Sequence, residues 1–271
     1  MTFPENLAER EAYILAQVKA GSYEAEWVPV TSSSGELHAV FWVMADALKV
    51  EGIRVNVSAT LEQQIADVVG GMLMTGKVAD LVYQQAQLRV GPYPMPITTT
   101  TKAMIEHSEK ISAAISVLTP FGESCMGKLV SSAGKDWILD KKLEASPGRA
   151  CNYGWHFVGT SYQGIKGYPC VTLAKDEMTQ KPIYVIQPNA TAHDPHHQDY
   201  SQTCRLMAQL CEVNGVRMLT AGLLSDPTLA ALINHDGVLK NTRQPGVPEP
   251  VKTEFVLPMD KVFVFGKVTN R

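Results

Sequence analysis

The sequence predicts an α+β fold, with a helical N-terminal half that holds a small sheet and a β-rich C-terminal half with one motif-bearing helix. Apolar residues recur at helical spacing through much of the first 118 residues, whereas short apolar runs separated by Gly and Pro fill most of the rest. A soft boundary near residues 118–130 separates a mixed helical region with a hairpin, residues 1–125, from a β-rich region, residues 126–271, that carries the candidate site. With 271 residues, 45% of them apolar, the chain can bury one large core or two modest ones, so both regions are compatible with a shared core.

Helical spacing and turn residues define the elements of the first half. The first helix is bounded by a capping pair, Thr2 with Glu5, and by Gly21. An apolar stripe at helical spacing runs from Leu61 to Met72. The predicted elements are a helix over residues 2–20, a hairpin of strands 24–31 and 36–43, a strand over 52–57, helices over 61–72 and 78–82, and a helix within 98–115.

The second half reads as short strands with one longer helix. Its predicted elements are strands 137–139, 151–158, 170–173 and 183–186, a helix at about 200–212, helical turns over 218–234, and a last strand in KVFVFGKV, residues 261–268.

Composition excludes several classes of protein. The net charge of −3 and isoelectric point of about 6.2 argue against a nucleic-acid partner. No apolar run approaches 18 residues, so no membrane insertion is expected, and the N-terminus lacks the apolar core of a signal peptide. We expect a cytoplasmic protein as synthesised, with a virus particle or another export route left open.

The cysteines favour neither disulfides nor a metal. There are five of them and no CxxC pair, so we expect small buried side chains in a reducing compartment, no metal and no cofactor. A zinc site at His193, His197 and Asp199, with His156 as a further ligand, is the alternative, but HExxH is absent.

Histidines cluster in the second half, where they are the best guide to function. Four of the seven lie within 42 residues and are interspersed with acids: His156, His193, His196 and His197, with Asp194 and Asp199. Strand alternation in ACNYGWHFV would place Cys151, Tyr153, Trp155 and Phe157 on one face, and Asn152, Gly154 and His156 on the other. The second face is small and polar and suits the floor of a site, although His156 on a half-exposed edge strand could equally bond a backbone carbonyl.

The segment HDPHHQDYSQ contains a capping pair, Asp199 with Gln202, that predicts the start of a helix. Such a cap could account for these residue types without any catalytic role. A helix N-terminus also offers free N–H groups to an anionic ligand or a developing oxyanion. The candidate catalytic residues are His156, His193, Asp199 and Ser201. The candidate substrate-binding residues are Lys135, Tyr153, Tyr200, Gln202 and Arg205.

Several motifs in order resemble a family of uncharacterised bacterial proteins that carry YGWH, PIQP, a histidine, DYSHG and an Arg-Leu pair. The matching segments here are YGWH (Tyr153–His156), PIYVIQP (Pro182–Pro188), His193, DYS (Asp199–Ser201) and RL (Arg205–Leu206), with further likeness over Leu61–Pro94 and in GKDWIL. The resemblance spans roughly residues 50–235. The resemblance implies which residues are functionally important, but it does not imply a particular reaction. The chain departs from the family at Gln202 and Thr203, which stand where the family has His and Gly, and in an insertion between YGWH and PIYVIQP.

The same segment is similar to the Asp-Cys-Ser-Gly motif of papain-like cell-wall peptidases. Tyr200 stands where those enzymes have the cysteine, which removes their thiolate nucleophile.

The function predicted from these residues is a hydrolase acting on amide or glycosidic bonds, with the cell wall as one source of a small-molecule or polymer substrate. His156 or His193 would be the base, Asp199 its orienter, and Ser201 or water the nucleophile. The alternative is a non-catalytic binding or structural module of a cell envelope or virus particle. A catalytic site requires His156 and the Asp199–Ser201 segment to meet in one cleft.

Overall fold

A computed structural model of the chain describes residues 3–121 and 123–250. The helices are α1 (Leu7–Lys19), α2 (Ala59–Val69), α3 (Gly76–Gln85), α4 (Thr101–Leu118), α5 (Lys142–Ala145) and α6 (Thr220–Ser225), with a 3-10 turn at Ala230–Leu232. The strands are β1 (Trp27–Ser34), β2 (Leu37–Met44), β3 (Lys49–Val50), β4 (Ile53–Arg54), β5 (Gly71–Thr75), β6 (Lys135–Leu139), β7 (Ala150–Val158), β8 (Ser161–Tyr162), β9 (Ile165–Lys166), β10 (Tyr168–Pro169), β11 (Ile183–His193), β12 (Leu206–Val213) and β13 (Val216–Leu219).

One large mixed sheet dominates the described part of the chain. Eight of its strands follow the order β1-β2-β12-β5-β6-β7-β11-β10, and β13 pairs with β12. The β5–β6 pair is parallel, whereas the other pairs in the sheet are antiparallel. Helix α3 packs against β7 and β1, which places one helical face directly over the strand that carries YGWH.

The expected division into a helical half and a β-rich half is wrong. Strands from both halves alternate in the same sheet: β12, from the second half, lies between β2 and β5, from the first. The main apolar core draws on both halves in the same way, from Ile14 on α1 to Leu224 on α6. Long-range strand pairing leaves little local signal, so helical stripes in the first half concealed its contribution to the sheet.

The predicted helix at about 200–212 is also wrong, because residues 206–213 form β12. This strand pairs with β2 on one side and β5 on the other, so its backbone groups are satisfied along both edges. The DYSQ segment closes a turn before the strand and caps no helix. The helix dipole expected at Asp199–Ser201 is therefore absent.

A third error concerns the stripe from Leu61 to Met72. Helix α2 ends at Val69, and Gly70 adopts a left-handed conformation with φ 70° that terminates it. The following residues, Gly71–Thr75, form the wholly buried strand β5. A short apolar run of this kind fits a buried strand as well as a helix, so periodicity alone could not separate the two.

Other elements agree more closely with the sequence. The hairpin forms as β1 and β2, the helix within 98–115 forms as α4, and helical turns follow residue 219. Helix α1 begins later than predicted, because the side chain of Asn6 accepts from the backbone N–H of Glu9. Only Ile53–Arg54 of the 52–57 segment is a strand, and residues 170–173 contain none. Thr2 and the predicted strand 261–268 lie outside the described residues.

Within residues 3–121 and 123–250, no helix has the length and apolar character needed to cross a bilayer.

Candidate functional site

A distortion in β7 decides where the YGWH side chains point. Gly154 has φ 124° and Trp155 has φ 60°, both outside the β region. As a result the expected alternation fails: the Tyr153 hydroxyl and the His156 imidazole contact the same carboxylate. Trp155 lies instead among the residues packed around Tyr200. The strand therefore supplies side chains to two separate polar clusters.

The first cluster, here called the Asp80 cluster, is centred on a buried carboxylate of α3. Oδ1 of Asp80 accepts from the Tyr153 hydroxyl at 2.7 Å, lies 2.6 Å from Nε2 of His156, and accepts from the Cys170 thiol at 3.4 Å. The thiol is also 3.6 Å from the Tyr153 hydroxyl. Donor atoms of Asp80, His156 and Cys170 all lie within 4.8 Å of one another.

The other oxygen of Asp80 faces the solvent side of the cluster. It accepts from the Thr172 hydroxyl and lies 3.2 Å from Nε2 of His235. The His235 side chain is 25% exposed, whereas that of Asp80 is 1% exposed. Tyr83, also on α3, stacks on the His156 ring with centroids 5.1 Å apart. These contacts fix both the carboxylate and the imidazole.

Electrostatics make the Asp80–His156 contact an ion pair. Burial would raise the pKa of Asp80, but hydrogen bonds from His156, His235 and Thr172 and the charge of His156 hold it well below its usual range. Burial would lower the pKa of His156, but hydrogen bonding to Asp80 and Cys170 and their charges raise it to about 9. Burial and the charge of Asp80 raise the pKa of Tyr153, which therefore remains a neutral donor.

A cavity of about 150 Å³ reaches the Asp80 cluster at His156. Tyr83, Arg89, Gly91 and Tyr162 contribute to its wall. A Cβ atom at Gly91 would lie 2.4 Å from the Tyr162 hydroxyl, so glycine allows this ring to approach. The cavity is therefore narrow and its wall carries both aromatic and cationic groups.

The second cluster, here called the Asp199 cluster, is built on the DYSQ turn. Oδ1 of Asp199 accepts from the backbone N–H of Ser201 at 2.7 Å and from the Ser201 hydroxyl. The Gln202 amide oxygen accepts from the Asp199 N–H at 2.6 Å, which completes a reciprocal pattern typical of a helix cap. Lys135 and His197 approach Oδ2 at 3.9 and 3.8 Å.

Aromatic rings surround the Asp199 cluster. The Lys135 ammonium lies 5.2 Å from the centroid of the Trp155 ring. His193 and His197 stack with centroids 4.3 Å apart. The Tyr200 hydroxyl donates to the Met95 carbonyl at 2.7 Å. Burial lowers the pKa of Lys135, while the charge of Asp199 opposes this effect.

The residues predicted from the sequence thus divide between the two clusters. Tyr153 and His156 belong to the Asp80 cluster, and six others belong to or border the Asp199 cluster: Lys135, His193, Asp199, Tyr200, Ser201 and Gln202. Arg205 belongs to neither. It is fully buried and its guanidinium donates to the carbonyls of Ser131, Val130 and Ala45.

His156 and the Asp199–Ser201 segment do not share hydrogen-bond partners. The His156 ring bonds Asp80, whereas the Asp199 carboxylate bonds its own turn and lies near Lys135 and His197. Ser201 is 1% exposed and its hydroxyl donates to Asp199. Among the described residues no histidine lies within hydrogen-bond distance of that hydroxyl, so it lacks the base that a serine nucleophile requires.

Sequence reasoning missed the centre of the Asp80 cluster. The sequence analysis named His156 as a candidate catalytic residue. It did not name the residues that surround this histidine, which are Asp80, Cys170, Thr172 and His235. A signal for Asp80 exists: it is the only acid in the α3 segment GKVADLVYQQ, where apolar residues flank it closely. Cys170 and His235 lie in loops far along the chain and give no comparable signal.

Neither protein-family models, nor curated proteins, nor solved structures include a match to this chain.

Proposed function

We propose that the protein is a hydrolase that cleaves amide bonds, with Cys170 as nucleophile, His156 as the proton-transferring group and Asp80 as its orienter. The observation that carries the proposal is the grouping of a thiol, an imidazole and a carboxylate within 4.8 Å of one another, with the imidazole on the wall of a cavity. Because a thiolate is well suited to attack a carbonyl carbon, this grouping favours amide over glycosidic bonds.

The reaction follows the usual two acyl-transfer steps. Because His156 is already protonated, the Cys170 thiol first gives its proton to solvent. The thiolate then forms a bond to the substrate carbonyl carbon, and the C–N bond breaks as His156 gives its proton to the leaving nitrogen. Water then attacks the thioester, His156 takes a proton from that water, and the C–S bond breaks so that the carboxylic acid leaves and the Cys170 thiolate with protonated His156 is restored. Asp80 holds the imidazole and stabilises its charge throughout. A substrate would bind in the cavity next to His156, although Cys170 is not itself one of the residues that line this cavity.

The non-catalytic alternative has one observation in its favour. Asp80 accepts hydrogen bonds from β7, from the loop with Cys170 and Thr172, and from His235, so it links α3 to segments that are distant in the sequence. A buried carboxylate satisfied in this way stabilises a fold without any chemistry. The two functions differ in what they require of the thiol, since a structural cluster has no need of a reactive one.

Thiol reactivity provides a test that needs no knowledge of the substrate. The folded protein would be treated with iodoacetamide and each cysteine followed by mass spectrometry. Cys170 is buried, with 6% of the residue exposed, against 0% for Cys204 and Cys211. We nevertheless expect Cys170 to be alkylated much faster than those two thiols, and His156→Gln to slow its alkylation at least about ten-fold. Exposed Cys125 is the internal control and should react equally in both proteins. Protection of Cys170 equal to that of Cys204 would refute the proposal.

Hydrolysis is then measured on peptidoglycan fragments, peptide anilides and model esters. On any amide that the wild type cleaves, Cys170→Ser should lower kcat by at least about 1000-fold while Cys125→Ser leaves it unchanged. Urea unfolding of both variants shows whether the loss has a structural cause. Full activity of a folded Cys170→Ser protein would remove the thiol from the mechanism.

A further inference from the structure

We infer that the Asp80 cluster also binds a divalent transition metal of the zinc type through Asp80, His156 and Cys170, and that the bound ion blocks the thiol. The metal-binding part stands on the ligand geometry alone, and the blocking part rests on the proposed function. No sequence motif indicates such a site, since Asp80 on α3 lies 76 residues before His156 on β7, and Cys170 lies in the loop that follows β10.

The donor atoms fit the coordination chemistry of zinc. An imidazole nitrogen, a thiolate sulfur and a carboxylate oxygen are all ligands that Zn²⁺ accepts, whereas a sulfur donor disfavours Mg²⁺ and Ca²⁺. Bonds of about 2.0–2.3 Å in a tetrahedral site separate ligand atoms by roughly 3.3–3.8 Å. The Cys170 sulfur and Asp80 Oδ1 are already 3.4 Å apart, and the His156–Asp80 distance of 2.6 Å would have to open by less than about 1 Å.

Neighbouring groups hold the ligands in place and leave an open side. The Tyr153 and Thr172 hydroxyls donate to Asp80, which restrains the carboxylate as the outer partners of metal ligands do. His235 lies on the solvent side, with Nε2 3.2 Å from the second oxygen of Asp80 and its side chain 25% exposed. The ion therefore has a route of entry past a partly exposed side chain.

The histidine pair of the Asp199 cluster does not offer an equivalent site. The rings of His193 and His197 stack face to face at 4.3 Å, and Asp199 is engaged by its own turn. Within the described residues, the atoms of Asp80, His156 and Cys170 form the one group of at least three His, Cys, Asp or Glu ligands that meets within 4.8 Å.

Metal and hydrolysis would compete for the same atoms. Coordination takes the Cys170 thiolate and a nitrogen lone pair of His156, so the sulfur cannot attack a carbonyl and the imidazole cannot transfer a proton. Zinc would therefore act as a reversible inhibitor of the proposed hydrolase.

Cobalt provides the direct test, because a sulfur ligand gives Co²⁺ an intense charge-transfer absorption. Protein dialysed against chelator would be titrated with Co²⁺, and then with Zn²⁺ to displace it. We expect saturation at one equivalent and loss of the charge-transfer band in Cys170→Ser. In Asp80→Asn the affinity should fall by at least the roughly 10- to 100-fold that loss of an outer partner of a ligand costs, because Asp80 is itself a ligand. Cys125→Ser and His197→Asn are matched controls and should bind as the wild type does.

Two outcomes would overturn the metal site: an unchanged spectrum on adding Co²⁺, or a band that persists in Cys170→Ser and disappears in Cys125→Ser. Because Asp80→Asn could impair folding, His235→Asn at the solvent edge provides a milder variant, for which we expect weaker binding at unchanged stability. Alkylation separates the two parts of the inference. Zn²⁺ should protect Cys170 and leave Cys125 reactive, and metal binding without protection would refute the blocking role alone.

Discussion

Acidification should destabilise the protein through His107, which lies on α4 beside the Asp199 cluster. The side chain is 1% exposed, its ring lies edge-on to Tyr200 at 5.3 Å, and Nε2 has no hydrogen-bond partner. Burial, reinforced by the positive charge of Arg54, lowers the pKa of His107 to about 4, while the charge of Asp199 opposes this shift. The imidazole is therefore neutral in the folded protein at neutral pH.

The sign and size of the effect follow from proton linkage. Below pH 6.5 the unfolded chain binds a proton at His107 that the folded protein does not bind, so the free energy of unfolding falls as the pH is lowered from about 6.5 to about 4. The difference between the two pKa values corresponds to about 3 kcal/mol. His107→Gln removes the titrating group and with it this part of the acid sensitivity.

Urea unfolding at about pH 7.5 and at about pH 4.5 measures the effect as a difference between proteins. Other groups also titrate in this range, and comparison with His107→Gln cancels them. Between these two pH values the wild type should lose about 2–3 kcal/mol more than His107→Gln. Exposed His196→Asn should lose as much as the wild type. Equal losses in wild type and His107→Gln would show that the folded protein accommodates the imidazolium, and the reasoning from burial would fail.

Substitutions at Asp199, Gly154 and Gly91 test the two clusters and the cavity by urea unfolding, and the Gly91 variant is also tested by its KM. Asp199→Asn keeps the oxygen that accepts from the turn and should cost less than about 1 kcal/mol, whereas Asp199→Ala should cost about 1–2 kcal/mol; equal costs would contradict this role. Gly154→Ala places a side chain on a residue with φ 124° and should lower the free energy of unfolding by about 1–3 kcal/mol. Gly148→Ala, whose Cβ would meet nothing within 4 Å, should leave it unchanged, and similar effects of the two variants would show that the backbone at Gly154 is not strained. Gly91→Ala displaces the flexible Tyr162 ring, so it should lower the free energy of unfolding by under about 1 kcal/mol and raise the KM of the proposed hydrolysis several-fold. An unchanged KM would show that the substrate does not bind in the cavity.

Local signals were enough for the elements that local interactions specify. The β1–β2 hairpin is defined by a polar turn between alternating strands, and α4 by a threonine cap and an apolar stripe. Both appear in the structure within a few residues of their predicted bounds.

Elements fixed by long-range pairing could not be predicted in this way. The sequence LMAQLCEV is compatible with a helix or a strand, and β12 forms because β2 and β5 lie on either side of it. The cap-like sequence before it misled the prediction further. Asp199 and Gln202 make the hydrogen bonds of a helix cap, but they close a turn that leads into a strand.

The candidate site was predictable only in part for the same reason. His156 and Tyr153 were chosen from a short motif, and both face the Asp80 cluster. Their shared partner Asp80 lies 76 residues before His156, on a helix that the apolar stripe identified as core. A polar residue within such a stripe indicates that a hydrogen-bonding partner exists elsewhere in the chain. The sequence alone does not identify the strand that provides this partner.

The distortion at Gly154–Trp155 explains why the two clusters are separate. A regular strand would place Tyr153 and His156 on opposite faces, where they could not bond the same carboxylate. Backbone conformations of this kind cost free energy and persist only where surrounding contacts compensate, which here are the contacts to Asp80 on one face and the packing of Trp155 on the other. Strain retained within a strand is characteristic of sites that need an exact arrangement of side chains. One arrangement obtained here is that of Asp80, His156 and Tyr153, which supports the proposal that the Asp80 cluster is the functional centre.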